Sequence, residues 1–144
     1  MDRLVPVKLV RLAEMIERRA SRTFETRFGV KNTELRILVI LAHADHAVAV
    51  SELSRRTRVD KAWISRTVMG LVARGLVERL ADPAYPRAPL VALTAKGVDL
   101  ARQISPVASA HETELLDGLD RGEVERVIDA MLASAERALA GPRV

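Results

Sequence analysis

Two short helical patterns separated by a pair of residues constrain this chain more than any other feature. Ser51 is a candidate N-cap for a short helix over Glu52 to Thr57, and after a tight turn at Arg58 and Val59, Asp60 offers a second side-chain cap. The helix that follows runs from Lys61 to Arg74 and stops at Gly75. Two short helices joined by so few residues make a helix-turn-helix. Leu76 to Leu80 and Leu90 to Leu93 then read as strands on either side of a loop holding Asp82, Pro83, Tyr85, Pro86, Arg87 and Pro89. A hairpin placed directly after the second helix is a wing.

The flanking segments are helical. Leu9, Ala13, Ile16, Ala20 and Phe24 recur at the spacing of one helical face, which predicts an amphipathic helix from about Leu4 to Phe28, ended near Gly29. Asn32 or Thr33 can cap the next helix, whose stretch Leu35 to Ala42 is apolar apart from Arg36 and is expected to be a buried central helix. Ala47 to Val50 is too short for a helix of its own and leads into Ser51. Thr94 caps a long helix beginning Ala95-Lys96-Gly97, in which Pro106 either kinks the axis or marks a break. Asp120 followed by Glu123 imitates a capping box ahead of a closing apolar face of Val124, Val127, Ile128, Met131, Ala135 and Leu139. The expected fold is mainly α with a small β-hairpin wing. A winged helix-turn-helix module over 32–96 is flanked by N- and C-terminal helices, 4–28 and 97–139, within one domain spanning 1–144.

Composition decides what such a module meets. The net charge of +4 means little by itself, but its distribution is uneven. From His46 to Lys96 nine basic residues face four acidic ones, whereas from Val98 to Val144 five arginines face nine acids. A basic module on a neutral-to-acidic scaffold is suited to a polyanion. The absence of cysteine excludes disulfides, thiolate metal sites and thiol-based redox sensing. Asp2, Arg3, Lys8 and Arg11 interrupt the N-terminal segment, and no run approaches the roughly 18 apolar residues of a membrane span, so a cytoplasmic protein with no membrane partner is expected. His43, His46 and His111 show no metal-ligand spacing with a partnering acid, and no Gly-rich phosphate loop precedes a helix. No enzyme, metal or cofactor is expected.

At 100° per residue the helix after Asp60 divides into two faces. Ile64, Val68, Leu71 and Val72 gather inward; Ala62, Arg66, Met69 and Ala73 lie opposite, with Ser65 on one shoulder and Gly70 on the other. Such an outward set fits the major groove of duplex DNA, where the planar fork of Arg66 can address guanine O6 and N7 together and Ser65 can serve base or phosphate. Lys61 is a candidate phosphate contact. Trp63 either packs its indole on the neighbouring helix with its N–H toward a phosphate, or is a partly buried core aromatic. Ser51 is equally a phosphate partner or a plain cap. Arg79 belongs to the basic set on the first wing strand, and Arg87 at the wing tip can enter a narrow minor groove, with nearby prolines stiffening its loop.

Three segments in order, Asp60-Lys61-Ala62-Trp63-Ile64-Ser65-Arg66, Gly75-Leu76-Val77-Glu78-Arg79 and Leu93-Thr94-Ala95-Lys96-Gly97, resemble the MarR family of bacterial transcription regulators. The resemblance implies a homodimer built on the terminal helices, binding a pseudo-palindromic operator. It also implies repression relieved by a small, commonly aromatic or anionic, ligand. The wing departs from the family pattern: an Asp-Arg-Arg-like sequence is replaced by Tyr85, Pro86 and Arg87, leaving Asp82 as the one acid able to orient the arginine. The alternative is a winged-helix interaction scaffold that does not read DNA sequence.

Overall fold

Helix α1 (Val5–Phe28) starts with Pro6 in its first turn, where a missing N–H is tolerated, and ends at Gly29, whose φ of 64° takes the left-handed conformation and lets its N–H reach the Glu25 carbonyl. Within this 24-residue helix Phe24 is the buried side chain, stacked on Phe28 with ring centroids 6.0 Å apart. The computed structural model describes residues 3–141, which divide between Ser105 and Pro106 into two compact units.

In the first unit, α1 is followed by α2 (Asn32–His43), β1 (Val48–Ala49), α3 (Val50–Thr57), α4 (Lys61–Ala73), β2 (Val77–Ala81), β3 (Pro89–Leu93) and α5 (Ala95–Leu115), the last crossing the boundary. Helix α2 is the expected central helix, with Ile37, Leu38 and Leu41 buried. Its N-cap is Lys31 rather than Asn32 or Thr33, and the Glu34 carboxylate accepts from the Lys31 N–H at 3.2 Å. A reaching glutamate thus satisfies the helix start without a short polar cap residue.

The sheet has three antiparallel strands in the order β1-β3-β2. The third strand, β1, is a departure from the two-strand expectation: Val48 and Ala49 pair with Val91 and Leu90. Hairpin β2–β3 keeps the expected place, paired from Val77 opposite Leu93 to Ala81 opposite Pro89. Leu53, Ile64, Val68, Leu71, Val77 and Val91 are buried, so helix-turn-helix and sheet contribute to one core.

Gly97 explains how the wing closes on α5. A Cβ there would lie 2.0 Å from the Leu76 carbonyl oxygen, inside any permissible contact, so only glycine admits the approach. Thr94 caps α5 as expected: its hydroxyl accepts from the Gly97 N–H at 3.1 Å and donates to the Gly75 carbonyl at 2.6 Å.

Pro106 lies inside α5, which continues to Leu115, and it opens the second unit. There Asp120 caps α6 (Arg121–Leu139) by accepting from the Glu123 N–H at 2.8 Å. Arg121 donates to Glu112 and Glu125 at 2.9 and 2.8 Å. The Glu125 hydrogen bond, then the charges of Glu112 and Glu125, raise the guanidinium pKa above its ordinary value. Helix α6 buries no residue in the single chain, leaving Val127, Ile128 and Leu132 exposed.

Candidate nucleic-acid interface

The turn ahead of α4 is fixed by side chains as much as by backbone. Arg58 takes a left-handed φ of 59°, unusual for a residue with a Cβ, and the Ser54 hydroxyl donates to the Val59 carbonyl at 2.6 Å. Buried Thr57 donates its hydroxyl to the Leu53 carbonyl at 2.7 Å, and its own carbonyl accepts from the Arg36 guanidinium. Asp60 then caps α4, accepting from the Trp63 N–H at 3.0 Å. These contacts aim the axis of α4 before any partner arrives.

Helix α4 presents the two faces that its periodicity predicts, with one exception. Ile64, Val68 and Leu71 are buried, but Val72, expected inward, is 37 % exposed and lies at the margin of the stripe. Lys61, Ala62, Trp63, Arg66 and Met69 are exposed and Ser65 is half-buried. Gly70 has open space where a Cβ would stand, so that shoulder of the helix is unobstructed.

Trp63 is half exposed, at 50 %, which overturns a core position for it. Its indole instead lies beside Arg66, whose guanidinium carbon is 5.4 Å from the ring centroid. That distance is within cation–π range.

Ser51 is not the cap of α3. Ala49 holds the extended N-cap conformation and Ser51 is the second residue of the helix, with its side chain exposed. What remains at Ser51 is a place in the first turn, where helix geometry leaves amides without intrahelical acceptors. In the wing, Arg79 is exposed on β2 and Arg87 in the loop. Asp82 is engaged locally, its carboxylate accepting from the Ala84 N–H at 2.9 Å. It serves to turn the loop. Tyr85 is 68 % exposed, and its carbonyl accepts from the Ala88 N–H.

Two cations of the basic segment have structural partners that the sequence did not reveal. Arg74 donates to the Gly29 carbonyl at 3.0 Å and to the Glu34 carboxylate at 2.9 Å, while Lys96 donates to the Arg74 carbonyl at 2.9 Å. These contacts tie the C-terminal end of α4 to the C-cap of α1, to α2 and to α5. Among the described residues no group of three or more His, Asp or Glu side chains is placed to hold a metal, and no helix is long and apolar enough to cross a membrane.

Known proteins share this architecture. The model of a family described as the MarR family matches residues 28–84. An uncharacterized HTH-type transcriptional regulator of Bacillus subtilis, YdgJ, is 28% identical over 108 residues, covering 75% of this chain and 65% of the relative. One component of an aspartyl/glutamyl-tRNA(Asn/Gln) amidotransferase from Chlorobium luteolum aligns with 34% identity over 151 residues, covering 92% of this chain and 31% of its own length. The chain therefore spans less than two thirds of either curated relative.

Among solved structures, a MarR/EmrR family transcriptional regulator from Acinetobacter sp. ADP1 superimposes with a TM-score of 0.83 at 25% identity, covering 97% of this chain and 98% of that one. Sco3205, a MarR family transcriptional regulator from Streptomyces coelicolor solved in complex with DNA, shares the fold with a TM-score of 0.81 at 21% identity, over 90% of this chain and 82% of that one. The family model lies over the helix-turn-helix and the first wing strand and the fold match runs through the flanking helices, so over its winged helix-turn-helix this chain is similar to the MarR family.

Proposed function

We propose that this chain is a sequence-specific duplex-DNA-binding transcription regulator. It acts as a homodimer on a pseudo-palindromic operator and represses until a small aromatic or anionic ligand binds. The observation that carries the reading is the outward face of α4, where Ala62, Arg66 and Met69 are exposed around half-buried Ser65 on a helix held by its cap. A helix fits the major groove when it shows small, polar and basic groups on one side and packs on the other. Arg66 then reads a base, Ser65 and Met69 line the same groove, and Lys61 and Ser51 approach phosphates. Arg79 and Arg87 add wing contacts to the backbone or minor groove. The family's regulators and the DNA complex of a protein with this fold support the reading. The likeness to that family's model and to its solved regulators likewise supports a regulator rather than an enzyme, and the small-molecule control.

Selection of genomic fragments by the purified protein tests this directly. The expected result is a recovered duplex bound at least about 10³-fold more tightly than random duplex at physiological salt. Equal affinity for both would overturn sequence reading and leave a winged-helix scaffold. Repeating the selection with aromatic acids tests relief: release of the recovered duplex is expected, and unchanged binding with every acid would argue against control by that ligand class.

A further inference from the structure

Arg66 is exposed on α4, and its guanidinium lies beside an aromatic ring. Among the described residues it makes no ion pair and no hydrogen bond; its partner is the indole of Trp63, three residues earlier on the same helical face. Trp63 is itself anchored at the backbone. Its N–H donates to the Asp60 carboxylate at 3.0 Å and its carbonyl accepts from the Thr67 hydroxyl at 2.9 Å. The indole is thus a flat surface attached to the capped first turn of the helix, and it lies alongside the side chain with the best donor geometry for a guanine edge.

We propose that Trp63 is a positioning residue for Arg66, holding its guanidinium in the orientation that addresses a base edge, so that Trp63 sets the base preference of α4 without reading a base itself. The proposal rests on α4 reading duplex DNA, as inferred above. Its physical basis is pre-organisation. An arginine that is stacked before binding has less side-chain freedom to lose when its fork engages two acceptors. Exclusion of water on binding also strengthens the cation–π contact, from a factor of about 2–5 at an exposed site to about 30 when desolvated.

The test uses the tightest duplex recovered by selection, with single-base variants of it. Trp63→Leu is expected to lower discrimination about 2- to 30-fold at the base pair whose discrimination Arg66→Ala abolishes, and to leave the other positions unchanged. Trp63→Phe, which keeps an aromatic face, is expected to retain most of it. In the Arg66→Ala background Trp63→Leu should have no further effect at that base pair. An equal loss on every duplex, or a loss that persists in that background, would mean that Trp63 touches DNA directly and would overturn the proposal.

Trp63 is the sole tryptophan of the chain, so its emission gives a readout that needs no DNA. Arg66→Ala should shift the emission of the free protein, and an unchanged spectrum would remove the contact on which the proposal stands. A shifted spectrum together with unaltered base preference in Arg66→Ala would instead sink the parent reading of α4, and this proposal with it. The two failures are therefore distinguishable.

Discussion

Arg66 and Arg87 carry the same charge, but their settings give them different duties. Arg66 lies on the outward face of a capped helix beside Trp63, whereas Arg87 lies in a loop whose nearest acid, Asp82, is engaged by the Ala84 N–H. Arg66→Ala is expected to relax base preference and to cost about 1–3 kcal/mol at the base pair it reads. Arg87→Ala is expected to weaken binding to all sequences and to lower the salt slope by about one. Binding isotherms at several salt concentrations check both, and an Arg66→Ala protein with its preference intact would refute the assignment. The outward placement of Arg66 and Met69 was legible from periodicity alone. Trp63 was not, because its spacing suits either a core or a surface indole and only its 50 % exposure decides between them. Arg74 was misleading for a related reason: a charge count sees a cation, but Glu34 and the Gly29 carbonyl that hold it are about forty residues away in sequence.

The helices and the hairpin could be read from sequence because each carries a local signal: an apolar period, a cap, or a strand run bounded by turn residues. Asp60 is such a signal, and the structure puts its carboxylate on the Trp63 N–H. Asp60→Ala is expected to cost about 1 kcal/mol, with fraying of the first turn of α4, seen as a lower denaturant midpoint with an unchanged m-value. Strand β1 escaped because its two residues exist as a strand only through pairing with Val91 and Leu90, far along the chain. Ser51 failed as a cap because pairing at Val48 and Ala49 carries extended backbone only to Ala49, so α3 starts at Val50. Gly97 shows a tertiary constraint behind a short motif. With Leu76 O at 2.0 Å from the missing Cβ, Gly97→Ala must push the wing and α5 apart, at an expected cost of about 1–3 kcal/mol or more. Urea unfolding measures this, and a variant as stable as the parent would show that the approach of strand and helix relaxes freely.

At the scale of the molecule the unanswered demand is apolar surface. Helix α1 buries only Phe24 within the single chain, while Leu12 and Ile16, one turn apart on the same side, are 43 % and 42 % exposed. Exposed large apolar side chains in such a row mark a surface that another protein covers. A second copy is the occupant consistent with the proposed two-fold operator, since two α4 helices about 34 Å apart would meet successive turns of one DNA face. Leu12→Glu and Ile16→Glu place a charge on that surface without disturbing the protomer core, because neither side chain is buried in the single chain. Sedimentation is expected to show a dimer for the parent and a folded monomer for the double variant. The monomer should also lose affinity for the full operator by about 10²- to 10⁴-fold, since the second module no longer engages at high effective concentration, while its affinity for a half-site should match that of one module. A double variant that stays dimeric would place the interface elsewhere. One that becomes monomeric yet binds the full operator as tightly as the parent would show that the two modules do not act together.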